Sequence, residues 1–191
     1  MRKTFPTRTQ AIEEAKMDLD NMLQGHLVAA VFEVLLVDAG YQVVPLGVER
    51  TIRELRTLDR ETYKDLRVHP RLRTIPDLFV LDIEAHQSWL TEIKFRHYLH
   101  PRLFDDLQGA QRDWAPFSLI LVLADHPPEW KKGIVHHIRV FEIEANFRLD
   151  EGFFTDNGQR LQDVFVRLGP KWQEATIRKA QDAILRITSN S

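Results

Sequence analysis

Three charged residues fall on two segments whose patterns indicate neighbouring β-strands. Asp77 directly precedes the segment Leu78–Ile83, at the start of the first strand. Glu92 and Lys94 lie two residues apart in the segment Trp89–Phe95. Because side chains alternate along a strand, Glu92 and Lys94 share one face. A turn between the two segments would make them a hairpin and bring Asp77 beside that face. We therefore expect two carboxylates and an amine in one cross-strand cluster.

Two carboxylates in such a cluster repel each other unless a cation lies between them. Ligation by oxygen alone suits Mg²⁺ or Mn²⁺ rather than zinc. A lysine beside that ion could hold a water molecule or a phosphate and stabilise a phosphoryl-transfer transition state. The same residues on an exposed hairpin would be an ordinary surface cluster, and the string Glu-x-Lys alone is common. The surrounding elements therefore decide between the two interpretations.

Glu33 is the single charge in an otherwise apolar helical segment, Leu27–Val37. Gly40 follows at the position of a helix C-cap glycine, so the segment is interpreted as a buried helix. Burying an unpaired carboxylate is costly, and Glu33 needs compensation. It lies at the edge of the apolar stripe, pairs with an arginine, or joins the site of Asp77 as a fourth member.

The elements around these residues predict an α/β fold with a mixed central β-sheet flanked by helices. Before the hairpin, Tyr41–Leu46 is typical of a first strand and Glu49–Leu66 of a charged, exposed helix. After it, Pro101–Trp114 has helical spacing of its apolar residues. The segment Phe117–Ala124 is continuously apolar, which indicates a central strand covered on both faces.

The chain of 191 residues is long enough to bury a core, and we expect a single domain over residues 1–191. An amphipathic helix at Thr9–Leu23 and a C-terminal extension over residues 134–187 are expected to be peripheral. In that extension we expect a strand at Ile134–Ile143, a loop at Gly152–Gly158 and a helix at Lys171–Ile187.

The composition excludes several kinds of site. There are no cysteines, which rules out disulfides, thiolate zinc sites and a cysteine nucleophile. The formal net charge is -2, so any nucleic-acid surface must be local. There is no signal-peptide core and no stretch of membrane-spanning length, and we expect a cytoplasmic protein without a membrane partner.

The order and spacing of the charged residues resemble the PD-(D/E)xK nuclease superfamily. The Pro-Asp pair at 76–77 opens one strand, the Glu-Ile-Lys triplet at 92–94 lies on the next, and fourteen residues separate the two acids. The resemblance covers about residues 25–125 and implies a restriction-endonuclease-like αβββαβ core there, with a C-terminal extension, similar to Holliday-junction-resolvase-type members.

The resemblance also implies roles for individual residues. Asp77, Glu92 and the backbone carbonyl of Ile93 would bind Mg²⁺ or Mn²⁺, and Lys94 would be catalytic. Several members carry a glutamate in the helix before the first strand, and Glu33 matches that position.

Nucleic-acid contacts are expected on either side of the site. Some relatives use a glutamine on the helix after the lysine strand, and Gln108 and Gln111 both match; a solvated surface glutamine is an equal alternative for each. A basic stretch, Arg50–Arg73, leads into Asp77, and a second basic cluster, Lys94–Arg102, follows the site. The basic residues that we assign to the phosphate backbone are Arg67, Arg71, Arg73 and Arg96. From charge alone, the simpler interpretation of Arg50–Arg73 is a solvated helix face with i,i+4 ion pairs.

We therefore expect a Mg²⁺- or Mn²⁺-dependent nuclease that hydrolyses phosphodiester bonds of nucleic acid, and the resemblance favours DNA over RNA. The rival from another class is a non-catalytic nucleic-acid-binding or scaffold module that keeps the fold while the charged cluster serves structure. The joint presence of Asp77, Glu92 and Lys94 weighs against this rival. Neither interpretation fixes the oligomeric state, and a homodimer is compatible with both.

Overall fold

The computed structural model describes residues 25–47, 69–123 and 138–171, together with Thr62. Its elements, in chain order, are α1 (residues 25–38), β1 (Gln42–Pro45), α2 (Pro70–Arg73), β2 (Leu78–Asp82), β3 (Gln87–Arg96), α3 (Pro101–Trp114), β4 (Phe117–Leu123), β5 (Ile138–Ile143), α4 (Glu151–Asp156), α5 (Leu161–Val164) and α6 (Leu168–Lys171). The helix expected at Thr9–Leu23 lies outside the described residues. So do the helices expected at Glu49–Leu66 and Lys171–Ile187, except for Thr62 and Lys171. Across the described ranges, every helix is too short or too polar to cross a lipid bilayer.

Five strands form one mixed sheet in the order β1, β2, β3, β4, β5. β3 and β4 are parallel and are joined through α3, and the other three neighbouring pairs are antiparallel. The predicted mixed sheet flanked by helices is therefore confirmed. The predicted hairpin is formed by β2 and β3, and α3 begins and ends at the residues expected for it.

β4 is the central strand that its apolar sequence predicts. All seven of its residues are buried. Leu119 and Leu121 pack on the α3 side of the sheet, and Ile120 and Val122 pack on the α1 side. Both faces are covered, as expected for a continuous apolar run.

β3 turns alternate residues to these two sides. Ile93 and Phe95 are buried in the core cluster that contains α1, and Leu90 packs against the cluster that contains α3. Because faces alternate along a strand, Glu92 and Lys94 share the α3 side with Leu90. The predicted division of this strand into two faces is confirmed.

Gly40 ends α1 and sends the chain into β1. Its φ of 92° lies in the left-handed region, which glycine adopts without a steric cost. The Gly40 N–H donates to the Val37 carbonyl at 2.9 Å, and the Tyr41 N–H donates to the Leu36 carbonyl at 3.1 Å. These are the two bonds of a Schellman motif, so the predicted C-cap glycine is confirmed.

The loop that leads into the candidate site is held against α3. It contains a short helix, α2. Trp114 Nε1 donates to the Arg71 carbonyl at 3.2 Å, and Thr74 Oγ1 donates to Asp113 Oδ2 at 3.1 Å. A Cβ added to Gly109 would lie 2.8 Å from Thr74 Cγ2. The two segments therefore approach as closely as a glycine allows.

The C-terminal part differs from expectation in two ways. Residues 151–156 form α4, so the loop expected at Gly152–Gly158 is wrong. The helix forms because Asp150 caps it, with Oδ1 accepting a hydrogen bond from the Phe153 N–H at 3.1 Å, and because Phe154 is buried against α3. The described extension also contributes to the core, since β5 pairs with β4. Three residues beyond β5 are buried on the α1 side: Leu161, Phe165 and Leu168.

An ion pair ties the chain after α5 to the turn between β2 and β3. Arg167 Nε donates to Asp82 Oδ2 at 2.6 Å, and Arg167 Nη2 contacts Asp82 Oδ1 and bonds Glu84 Oε2 at 2.9 Å. The Arg167 N–H donates to the Tyr41 hydroxyl at 3.1 Å. Asp82 is buried. The hydrogen bonds from Arg167 are the main reason that the pKa of Asp82 is lowered to about 2, against the opposing effect of burial.

We predict that this ion pair loses its stabilising effect in acid. The pKa of Asp82 is lower in the fold than in the unfolded chain, where it is about 4. The pair therefore contributes fully above about pH 4 and progressively less as the pH falls towards about 2. Asp82→Asn should lower the free energy of unfolding at neutral pH and make it less dependent on pH within this acidic window. Urea denaturation of both proteins across the window measures the difference, and parallel curves would contradict the assignment.

The close approach of α2 and α3 gives a second prediction. Gly109→Ala gains about 1 kcal/mol of helix propensity, but its new methyl group meets Thr74 Cγ2. Thr74→Ser removes that methyl group and keeps the hydroxyl that bonds Asp113. We expect Gly109→Ala to be more favourable by about 1 kcal/mol in the Thr74→Ser background than in the wild type. Denaturation of the four proteins measures this coupling, and additive effects would show that the contact is absent.

Candidate functional site

β2 and β3 separate beside Asp77, and a gap between the two strands begins there. Their pairing stops at Leu78 opposite Thr91, and in the described part of the chain β3 continues beyond this point with only β4 beside it. The Asp77 side chain takes the next position. Its Oδ2 accepts a hydrogen bond from the Ile93 N–H at 2.8 Å. The carboxylate thus does for β3 what the carbonyl of a partner strand would do.

The main chain of Asp77 turns the other way, towards the segment after β1. Its carbonyl accepts hydrogen bonds from Leu46 N–H at 2.8 Å and Gly47 N–H at 3.3 Å. Gly47 also borders the carboxylate, because a Cβ at that position would lie 3.7 Å from Asp77 Oδ1. Asp77 is therefore fixed on both sides, with Oδ1 beside a residue that has no side chain. Sequence patterns alone do not point to Gly47, since a glycine after a strand is common.

Ile93 directs its backbone carbonyl to the gap between β2 and β3. In a strand, the N–H and the C=O of one residue point to the same side, and the Ile93 N–H points to Asp77. The Ile93 side chain is buried on the α1 side. Only the backbone of Ile93 can therefore take part in a site, and its carbonyl flanks the same gap as the Asp77 carboxylate.

Glu92 and Lys94 lie next to this gap on the α3 side of β3. Lys94 Nζ and Glu92 Oε1 form an ion pair. Glu92 is buried, and 27% of the Lys94 side chain is exposed. The Asp77 carboxylate is close enough to act electrostatically on both groups. The structure thus brings together Asp77, Glu92 and Lys94.

The charges of this cluster are out of balance. Burial is the main cause that raises the pKa of Glu92 to about 7; Lys94 opposes the rise, and the Asp77 carboxylate adds to it. For Lys94, burial acts to lower the pKa, but the carboxylates of Glu92 and Asp77 outweigh it, and the pKa is raised. One lysine, Lys94, lies beside two carboxylates, so binding of a further positive charge is electrostatically favourable.

Glu33 does not complete a three-carboxylate site with these residues. Within the described ranges, no three His, Cys, Asp or Glu side chains are arranged to hold a metal ion. Glu33 belongs to α1, which packs on the side of Ile93 and Phe95, whereas Glu92 is on the side of α3. A role for Glu33 through a bridging water stays a prediction.

The residues expected to contact nucleic acid have different surroundings. Arg71 and Arg73 are exposed on α2, and Gln108 is exposed on α3. Arg71 Nε lies 4.0 Å from Asp113 Oδ1. Arg96 forms an ion pair with an acid of α3, and Arg67 lies outside the described residues.

Gln111 has a structural role instead. It is buried, and its Nε2 donates to the carbonyls of Glu144 at 2.7 Å and Phe147 at 2.8 Å. Both N–H groups of the amide are used in this way. Gln111 therefore ties α3 to the loop after β5, and the nucleic-acid role expected for it stays a prediction.

Comparison with known proteins finds no matching family model, no matching curated protein and no matching solved structure. Motif strings as short as Glu-x-Lys recur by chance in charged proteins. The function is therefore inferred from the geometry around Asp77, Glu92 and Lys94.

Proposed function

We propose that this chain is a Mg²⁺- or Mn²⁺-dependent nuclease that hydrolyses phosphodiester bonds of nucleic acid, with DNA as the substrate. The observation that carries the proposal is the placement of Asp77, whose carboxylate bonds the Ile93 N–H beside the ion pair of Glu92 and Lys94. We also propose that α1, the first four strands and α3 are a restriction-endonuclease-like core. The order of helix, three antiparallel strands, helix and parallel strand supports this, with α2 inserted between β1 and β2.

The residues around the gap fit a hard divalent cation. Asp77, Glu92 and Ile93 offer two carboxylates and one carbonyl, and all of these ligands are oxygen atoms. An ionised carboxylate has about four acceptor positions, so a contact with the Ile93 N–H or with Lys94 leaves each acid able to bind an ion. The remaining coordination positions would belong to water and substrate, as is usual for Mg²⁺. The chemistry that such an ion supplies is polarisation of the phosphoryl group and a lower pKa of a bound water molecule.

Lys94 contributes the positive charge that the developing phosphorane needs. Although burial opposes it, the carboxylates of Glu92 and Asp77 raise the pKa of Lys94, which favours the charged amine. The Lys94 side chain is partly exposed, and its Nζ can donate a hydrogen bond to a phosphate oxygen or to the attacking water while it stays paired with Glu92. Electrostatic stabilisation of this kind is often the largest part of an enzyme's rate enhancement.

A phosphate backbone can approach across α2 and the exposed face of α3. Arg71 and Arg73 place two positive charges on α2, a few residues before Asp77, and Gln108 faces solvent on α3. Contacts of this kind give affinity without sequence readout. The site and its surroundings are therefore compatible with cleavage that is not directed by sequence.

A non-catalytic nucleic-acid-binding or scaffold module is the second candidate. One observation favours it: the ion pair between Glu92 and Lys94 matches the two charges without a metal ion. In addition, the described residues hold no three-carboxylate site. Such a module would keep Asp77 for the edge of β3 and the ion pair for packing. Metal binding and cleavage separate the two candidates.

We predict that Mn²⁺ raises the Tm of the wild type. An ion that binds only the folded protein adds about 2.7 kcal/mol of stability at one hundred times its Kd. Asp77→Asn and Glu92→Gln should lose the effect, because each removes a ligand charge while keeping its shape and an amide oxygen for hydrogen bonds. Asp163→Asn neutralises an exposed acid of α5 and should keep it. Thermal unfolding with and without Mn²⁺ measures the shifts, and equal shifts in all four proteins would place the ion elsewhere.

We further predict that Lys94→Gln cleaves DNA about 100-fold more slowly or worse, because it removes a positive charge at the phosphate. Its Mn²⁺-induced rise in Tm should persist, which shows that the fold and the acids are intact. Arg148→Gln, which removes an exposed charge outside the site, should cleave as the wild type does. The assay uses linear, circular, single-stranded and branched DNA with Mn²⁺. Cleavage by Lys94→Gln at the wild-type rate would reject its role, and a wild type that cleaves none of these substrates would favour the scaffold module.

A further inference from the structure

Arg96 is the last residue of β3 and lies on the same face as Lys94. Two residues along a strand separate their Cα atoms by about 7 Å, and the two charges are close enough to interact electrostatically. Exposed fractions of 27% for the Lys94 side chain and 35% for the Arg96 side chain show that both reach solvent. They form a short positive edge beside the gap that Asp77 borders.

The guanidinium of Arg96 is occupied by an acid of α3. Arg96 Nη2 donates to Asp106 Oδ2 at 2.8 Å, and Arg96 Nη1 donates to the Phe95 carbonyl at 2.8 Å. The Asp106 side chain is 51% exposed. An ion pair that faces solvent in this way contributes little to stability and exchanges its partner at small cost.

A phosphodiester can replace the carboxylate at such a guanidinium. Both anions accept charge-assisted hydrogen bonds from arginine, and a phosphate offers two oxygens to the planar fork. Asp106 uses one of its oxygens on one nitrogen of Arg96, so the contact is less extensive than a two-oxygen contact. The phosphate next to the one held by Lys94 would therefore be a better partner than Asp106.

We propose that Arg96 binds the DNA backbone beside the scissile phosphate, and that Asp106 occupies Arg96 in the free protein and competes with the substrate. This inference rests on the proposed nuclease function. It assigns to Asp106, an exposed acid without any sequence motif, the role of a residue that limits affinity.

A second ion pair in the chain provides a matched control. Arg160 Nε and Asp163 Oδ2 are 2.7 Å apart, with 48% and 42% of the two side chains exposed. This pair is in and just before α5, which contacts β5 and packs on the α1 side of the sheet, opposite to the face of Lys94 and Arg96. Asp163→Asn and Asp106→Asn change the net charge equally, so a difference between them reports position and not overall charge.

The test is binding of a fluorescent DNA duplex in Ca²⁺, with cleavage in Mn²⁺ measured in parallel. Asp106→Asn should bind about twofold to fivefold more tightly than Asp163→Asn, the range that an exposed ion pair allows. Arg96→Gln should bind more weakly than the wild type, and Asp106→Asn should have no effect in the Arg96→Gln background. Cleavage should show the change mainly in KM, since Arg96 does not touch the reacting atoms.

The outcomes separate this inference from the function on which it rests. If the wild type cleaves DNA but Asp106→Asn binds no better than Asp163→Asn, the competition is absent and only the inference fails. If Asp106→Asn binds more weakly and unfolds at a lower temperature, the pair is a structural clamp between β3 and α3, and the inference again fails. If the wild type neither binds nor cleaves DNA, both this inference and the nuclease function are overturned.

Discussion

The candidate site depends on a single replacement in the sheet, in which a side-chain carboxylate takes the place of a strand carbonyl. β2 stops pairing with β3 at Leu78, and Asp77 Oδ2 satisfies the Ile93 N–H that would otherwise face the gap. A buried backbone N–H without an acceptor is costly, so this bond fixes the carboxylate firmly. The Ile93 carbonyl, which points to the same side, is directed into the gap by the same geometry.

Charge is arranged along one face of β3 with a partner for each group. Glu92 is buried and pairs with Lys94, and Arg96 pairs with Asp106 nearer to solvent. Burial matters differently for the two pairs. The first is expensive to break, because a buried charge would be left unmatched, whereas the second is screened by water. Glu92 and Lys94 are therefore held firmly beside the gap, whereas Arg96, nearer to solvent, can exchange Asp106 for another anion.

Sequence patterns predict what is local and periodic in this chain. The alternation along β3 identifies both of its faces, the apolar run of β4 identifies a strand covered on two sides, and α3 follows from its helical spacing. Contacts between residues that are far apart in the sequence cannot be predicted from such patterns. Gln111 looks like a surface glutamine because the carbonyls that bury its amide belong to residues 33 and 36 positions away. The glycine at Gly152 is typical of a loop, but the cap at Asp150 and the burial of Phe154 decide the local structure and give the helix α4.

A site that uses the backbone of Ile93 also depends on the register of the whole sheet. A slip of one residue would turn Glu92 and Lys94 to the α1 side and Ile93 to the other, because strand side chains alternate with a period of two. The packing of β3 disfavours this slip, since the slip would turn Glu92 and Lys94 into the apolar core and remove Ile93 and Phe95 from it. The apolar core on the α1 side therefore helps to hold two acids, a carbonyl and a lysine at one gap. Changes to that core should therefore alter the site even where the changed residue is not part of the site.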